Sequence, residues 1–514
     1  FVAREYWSIE AEVAHPTQMF TAKLTKLDGK KFEQFTVTDG TTAEDARQRI
    51  LKAAGGALHV TDVASKERKR RPAPPFTTST LQQEAARKLG FTTKRTMQVA
   101  QKLYEGIGIG EEGTVGLISY MRTDSVSLSA EALSEMRDVI ARDFGTRALP
   151  DKPNFYQTKS KNAQEAHEAV RPTSALRTPA QVSRYLSDDE RRLYELIWKR
   201  AVASQMVPAT LNTVSVDLAA GSDHSFRASG TTVIDPGFLA VYEEGKDTKG
   251  AEDDDEGRKL PAMKPGERVP LDRVHADQHF TQPPPRFTEA ALVKALEEYG
   301  IGRPSTYASI IQTLLFRKYV EMESRSFRPS DVGRAVSKFL SSHFTQYVDY
   351  DFTAKLEDEL DAVSRGEEEW VPLMEKFWGP FKELVEDKTE SVDRSEATGA
   401  RELGIDPKSG KPVSVRLGRY GPYVAIGTAE DEDKPTFASL RPGQSMHTIS
   451  LENALELFKL PRKLGQSEGH EVSVGIGRFG PFAKRGTTYA SLKKEDDPYT
   501  IELAHAVFLI EEKE

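Results

Sequence analysis

Cysteine is absent from this 514-residue chain. That excludes disulfides and every zinc site built on cysteine, and it fits a reducing cytoplasm. Long hydrophobic runs are missing as well: no stretch approaches the ~20 apolar residues that span a bilayer, so no membrane partner is expected. The N-terminal residue is Phe1 and no secretory signal follows it. The glycine-rich stretch 106–113 lacks the Lys-Ser/Thr ending of a phosphate-cradling loop, so ATP is not expected as a cofactor. Nor is there a surplus of positive charge: 71 Lys and Arg face 79 Asp and Glu, a net charge of -8. Any surface for a polyanion must therefore be a local patch. The charge runs at 66–71, 252–256 and 430–433, and the pair Arg317-Lys318, read first as solvated surface.

The hydrophobic period divides the chain. Residues 1–60 alternate as short strands, with a helix at 43–54 that Gly55-Gly56 stops; another strand covers 58–63. The basic run 66–71 and Arg71-Pro72-Ala73-Pro74-Pro75 then mark a boundary. From Ser79 the period is helical, with Leu81, Ala85, Ala86 and Leu89 on one face and Gly90 at the end. Thr93 or Thr96 caps a second helix, which gives a helix-turn-helix-like pair. Helices follow at 129–144, 163–170 and 188–203, and strands return at 211–219, 225–228 and 231–234. A helical domain, 79–206, is thus expected inside a β-rich domain split into 1–78 and 207–286. Pro283-Pro284-Pro285 is a stiff joint. Thr288 caps the first helix of a winged-helix-like domain, 287–390, with a hairpin or wing at 320–329. A polar linker, 391–400, leads to two C-terminal repeats, 401–465 and 466–514. The fold class is multidomain α+β.

The chemistry concentrates in Gly116-Leu117-Ile118-Ser119-Tyr120-Met121-Arg122-Thr123-Asp124-Ser125. A tyrosine oxygen is a weak nucleophile at its free pKa of about 10 and needs cationic or basic help. Arg122, two residues on, lies on the same side of an extended segment as Tyr120, and its planar fork suits phosphodiester oxygens. Asp124 either orients Arg122 or caps the following turn. In the tail, Leu417-Gly418-Arg419-Tyr420-Gly421-Pro422-Tyr423 recurs as Ile476-Gly477-Arg478-Phe479-Gly480-Pro481-Phe482. Aromatics beside an arginine suit base stacking and phosphate contact; equally, they pack the small core of each repeat.

Three further stretches accompany the tyrosine segment. They are Pro75-Phe76-Thr77-Thr78-Ser79-Thr80-Leu81-Gln82-Gln83-Glu84-Ala85, then Asn162-Ala163-Gln164-Glu165-Ala166-His167-Glu168-Ala169-Val170-Arg171-Pro172-Thr173, and Glu298-Tyr299-Gly300-Ile301-Gly302-Arg303-Pro304-Ser305-Thr306-Tyr307-Ala308. In this order they closely resemble the type IA DNA topoisomerases, the family of bacterial DNA topoisomerase I. The resemblance implies part of a toroid, with a split β-rich arch, helical winged-helix-like domains and small α/β C-terminal repeats. It implies ATP-independent breakage, passage and rejoining of one DNA strand through a 5′-phosphotyrosine, relaxing negatively supercoiled DNA. Tyr120 would be the nucleophile, Arg122 the phosphate grip, and His167 a residue near the scissile phosphate. Asp124, Arg303, Ser305, Thr306 and Arg317 would contact DNA, and so would Arg419, Tyr420, Arg478 and Phe479. Zinc is not expected, whereas magnesium is. Its acidic ligands, with a catalytic Lys and Glu, belong in the family to an N-terminal Toprim domain that would precede Phe1; Asp253-Asp254-Asp255 is a poor substitute. The chain is therefore expected to be a fragment, incomplete for relaxation. The partner is single-stranded and supercoiled DNA, the oligomeric state a monomer, and the location the bacterial cytoplasm at the nucleoid. Two other readings stand beside this one. One is a non-catalytic clamp on single-stranded DNA. The other is a tyrosine recombinase, disfavoured because Tyr120 precedes His167 and Arg171 rather than following them.

Overall fold

The computed structural model describes residues 1–157, 167–247, 257–393, 396, 398–418, 421–428, 431, 433–477 and 480–513. The chain forms two compact units, Phe1–Gln312 with Glu323–Phe327, and Thr313–Met322 with Arg328–Glu514.

In the first unit, β1 (Glu5–His15), β2 (Gln18–Leu27) and β3 (Lys30–Lys31) lead into α1 (Gly40–Ala54) and β4 (Ala57–Arg70). The Asp39 side chain caps α1, and Gly55 ends it in the left-handed region at φ 55°. The helical segments follow: α2 (Thr78–Glu84) with a π-helical turn at Ala85–Leu89, then α3 (Thr93–Glu105). A small hairpin of β5 (Ile107–Gly108) and β6 (Thr114–Val115) precedes α4 (Ala130–Asp143), α5 (Pro179–Val182) and α6 (Asp188–Ser204). Strands resume as β7 (Ala209–Ala220), β8 (His224–Asp235) and β9 (Arg268–Phe280). These strands make one sheet in the order β1-β9-β4-β7-β8-β2-β3, and β1 also pairs with β2, so the sheet closes on itself. Ile9, Phe20, Leu58 and Phe226 fill its core together with Ile50 of α1. The helices gather around a separate core that includes Phe76, Leu81, Leu103, Leu117, Ile118 and Ile197.

Three local expectations are corrected. The basic run is no boundary: β4 continues to Arg70, with Lys66 opposite Thr213 and Arg70 opposite Ala209. The ladder offered by β7 overrides the low strand preference of charged residues whose side chains stay in solvent. Thr92, not Thr93 or Thr96, caps α3 and accepts from the Arg95 N–H. Of the helix expected at 163–170, residues 163–166 lie outside the described residues, and 167–170 are not helical. Val170 instead forms a bridge with Phe76, and its N–H donates to the Phe76 carbonyl. Arg171-Pro172 disfavours the helical region just before it.

Further along lie α7 (Glu289–Glu298), capped by Thr288, and α8 (Tyr307–Phe316); the division between the units falls within α8. The expected wing is the hairpin of β10 (Val320–Glu323) and β11 (Ser326–Pro329). Then come α9 (Asp331–His343), α10 (Tyr350–Ser364) and α11 (Trp370–Ser391). The two repeats are two separate four-stranded sheets. The first consists of β12 (Arg401–Ile405), β13 (Pro412–Gly418), β14 (Gly421–Ile426) and β15 (Thr436–Ser439). The second consists of β16 (Arg462–Ser467), β17 (His470–Gly477), β18 (Gly480–Arg485) and β19 (Thr488–Ser491). Each sheet buries its valines against one helix, Leu451–Glu456 in the first and Leu503–Lys513 in the second.

Candidate active site

Tyr120 sits on an extended segment held from both sides. On one side the Leu117 N–H donates to the Leu103 carbonyl at the end of α3 (2.7 Å), the Ser119 N–H to Arg171 O (2.9 Å) and the Thr173 N–H to Leu117 O (2.9 Å). The Ser119 hydroxyl donates to Ala169 O at 2.6 Å. On the other side Thr78, fully buried in the first turn of α2, staples the segment. Its hydroxyl donates to Met121 O (2.6 Å) and accepts from the Thr123 N–H (2.8 Å), while its own N–H donates to Thr123 O (2.8 Å).

These anchors set the alternation. Ile118, Met121, Thr123 and Ser125 are buried, whereas Tyr120 and Arg122 face outward and Asp124 is half-buried. Tyr120 keeps 42% of its surface exposed. Its ring meets Tyr104 of α3 edge-on at 5.2 Å between centroids and His167 at 6.5 Å. Among the described residues the Tyr120 hydroxyl, Arg122 and Asp124 have no hydrogen-bond or ion-pair partner. An exposed phenol thus stands beside an uncommitted guanidinium and an imidazole. That set can attack a phosphorus atom and grip its oxygens.

His167 is positioned through its neighbour. Glu168 pairs with Arg171 and accepts from the Ser129 N–H at the cap of α4. Burial works to raise the Glu168 carboxyl, but Arg171 and the Ser129 N–H outweigh it and hold the group below its ordinary value of 4.5.

Arg303, Ser305 and Thr306 form a turn of their own ahead of α8. The Thr306 hydroxyl accepts from the Arg303 N–H (2.8 Å), and the Arg303 guanidinium donates to the carbonyls of Gly302 (2.8 Å) and Gly300 (3.2 Å). Thr306 therefore closes the turn, and Ser305 is the more open hydroxyl. Arg317, in the second unit, is exposed. Arg419, Tyr420, Arg478 and Phe479 lie outside the described residues, as does Asp253-Asp254-Asp255. What is described in the repeats is a second aromatic pair in each. Tyr423 meets Phe437 at 5.5 Å, and Phe482 meets Tyr489 at 5.2 Å, with Phe437 and Tyr489 exposed.

Sequence reasoning assigned no role to Thr78, Tyr104 or Glu168. The first and last lie inside quoted motifs, and their polarity was the available signal; nothing in the sequence tied Tyr104 to Tyr120. Among the described residues no group of three or more His, Asp or Glu side chains converges to hold a metal ion. The described residues do not fit a magnesium site. No helix among the described residues is long and apolar enough to cross a membrane.

The model of a family described as DNA topoisomerase matches residues 1–375, and that of a topoisomerase C-terminal repeat matches 406–469 and 466–514. A protein of Xylella fastidiosa strain Temecula1 named DNA topoisomerase 1 is 76% identical over all of this chain, which spans 63% of that relative's length. The DNA topoisomerase 1 of Rickettsia bellii is 40% identical over all of this chain and 73% of its own. The solved structure of full-length topoisomerase I from Thermotoga maritima matches with a TM-score of 0.66 and 31% identity, over 87% of this chain and 68% of that one. With the family model covering most of its length and the tyrosine segment inside that match, the chain belongs to the bacterial type IA DNA topoisomerases.

Proposed function

We propose that Tyr120 is the nucleophile of a single-strand DNA transesterification. Its hydroxyl oxygen attacks a backbone phosphorus; the Tyr120 O–P bond forms as the P–O3′ bond breaks. The products are a 5′-phosphotyrosine and a free 3′-hydroxyl. One phosphoester replaces another, so rejoining needs no ATP. Arg122 holds the non-bridging oxygens and meets the charge that grows on them, His167 stands beside the reacting phosphate, and Asp124 positions the strand. Ser305, with Arg303, Thr306 and Arg317, contacts the DNA backbone. The repeats hold single strands through their aromatics and through Arg419, Tyr420, Arg478 and Phe479. In a protein of its relatives' full length the overall activity is relaxation of negatively supercoiled DNA by a monomer at the bacterial nucleoid; this chain alone is incomplete for it. Magnesium is the cofactor the family implies.

What supports this reading is the exposed Tyr120 phenol beside the His167 ring and an Arg122 that has no partner among the described residues, on a segment pinned by Thr78 and Ser119. The test is denaturing-gel detection of protein-linked oligonucleotide, using the chain within a protein of its relatives' full length. Tyr120→Phe abolishes the adduct and leaves strand binding largely intact. An adduct that persists in the variant sinks the assignment, and an adduct absent from both proteins favours the non-catalytic clamp.

A further inference from the structure

The rod that pins the tyrosine segment has a second end. α2 does not stop at Glu84 but continues into the π-helical turn Ala85–Leu89, closed by Gly90 at φ 68°. Single π turns are rare and occur frequently at functional sites. This one brings Lys88 and Leu89 to the wall of a cavity of about 410 Å³, completed by α6 and by the chain around Tyr242. Cavities of roughly 300–1,000 Å³ are the size that holds small ligands. Four cations line it, Lys88, Arg191, Arg192 and Lys199, against two carboxylates, Glu195 and Glu243.

The floor is rigid. Tyr242 is 5% exposed, and its hydroxyl donates to buried Glu84 and accepts from Arg200. Glu84 also accepts from the Gly245 N–H at 2.9 Å. Arg192 donates to the Leu89 carbonyl at 2.9 Å and so fastens α6 to the π turn. The walls are adaptable. Lys199 pairs with Glu195 at 2.6 Å and Arg191 with Asp188 at 2.6 Å along the partly exposed side of α6. Such pairs are worth little and exchange readily for a better anion. Lys88 has no carboxylate partner among the described residues; its ammonium lies 4.7 Å from the centroid of the Tyr242 ring. Arg191 also reaches Glu195 (3.7 Å) and Arg192 reaches Asp188 (3.9 Å), so Lys88 over the Tyr242 ring is the cation least committed, and with the three cations of α6 it suits an anion of phosphate type.

We propose that this cavity binds a phosphate group, presented by a nucleic acid strand or by a free nucleotide. The site is separate from the Tyr120 chemistry. It grips the far end of the rod Thr78–Leu89, roughly 18 Å long at ~1.5 Å per residue, whose first turn holds Met121 and Thr123.

The experiment is lysine footprinting of the 514-residue chain by acetylation and mass spectrometry. The two probes are inorganic pyrophosphate and a single-stranded thymidine dodecamer. Exposed Lys52 on α1 serves as the reference. A probe at ten times its Kd slows acetylation of Lys88 and Lys199 about tenfold and leaves Lys52 unchanged. Protection by pyrophosphate assigns a free phosphate ligand; protection by the dodecamer alone, confined to these two lysines, assigns a strand. The double variant Lys88→Glu, Lys199→Glu weakens whichever probe binds by at least about tenfold, since two favourable contacts become repulsive. The Tyr120→Phe chain shows the same protection, so the outcome is independent of the proposed nucleophile. No protection by either probe overturns the proposal, and so does dodecamer protection spread equally over Lys52.

Discussion

Thr78 shows how one hydroxyl sets the height of Tyr120, the proposed nucleophile. It satisfies Met121 O and the Thr123 N–H at once, in a position with no access to water. Thr78→Val keeps the shape and strands both backbone groups, at a cost of about 1–3 kcal/mol for each buried group left unpaired. The expected result is a urea midpoint lowered to match, with adduct formation falling further than binding; Thr78→Ser restores both. An unchanged adduct yield in Thr78→Val would remove the anchoring role. Glu168 gives a pH signature. Its folded-state pKa lies below the ordinary 4.5, so its ionised form stabilises the fold above that pH, and the contribution disappears as pH falls through the folded value. Glu168→Gln should therefore be less stable than the parent chain at pH 7, with the gap closing below pH 4.5. Thermal unfolding at a series of pH values reads this directly, and a gap independent of pH contradicts the assignment.

Between elements, the tyrosine segment depends on a close approach to α3. A Cβ placed on Gly116 would lie 2.6 Å from the Tyr104 carbonyl, a backbone atom that cannot swing aside. Gly116→Ala must push α3 and the segment apart, breaking the Leu117–Leu103 hydrogen bond and shifting Tyr104 from the Tyr120 ring. Overpacking of this kind costs about 1–3 kcal/mol. Adduct formation should drop at least tenfold while the helix content by circular dichroism stays the same; full activity would mean that Tyr104 and Tyr120 need not be in register. Helix starts were the most legible feature at this scale. Thr288 caps α7 as expected, because a side-chain oxygen just before an apolar period is a local signal, and the helix expected from 129 starts at Ala130 behind a Ser129 cap. The end of β4 and the bridge at Val170 were not legible, because both follow from partners distant in sequence, β7 and Phe76.

For the whole molecule, a net charge of -8 means that the proposed DNA binding has to rest on patches. The C-terminal repeats have cores of their own and expose Phe437 and Tyr489, and they lie outside the segment that carries Tyr120. Removing residues 401–514 should weaken binding of long single strands more than it weakens cleavage of a short oligonucleotide. In both chains affinity falls as salt rises, with a slope of roughly -0.7 per phosphate contacted on a single strand, and the shortened chain should have the shallower slope. Filter binding at several salt concentrations, beside the adduct gel, measures both. Equal losses in the two assays count against a tail that only binds.

The sequence alone carried the family and the ingredients. Four ordered motifs singled out Tyr120, Arg122 and His167 as candidates, and local periodicity gave most helices and strands, because caps and apolar spacing act over a few residues. It could not say that Thr78 and Ser119 would pin the segment from opposite sides, or that Tyr104 would meet the phenol edge-on. Nor could it show that a π turn would lead Lys88 to a cavity walled by α6 and floored by Tyr242. Those facts join residues up to 158 positions apart, as in the bond between Tyr242 and Glu84. They exist only once the helices have buried their shared core, since burial decides which polar groups must find one another.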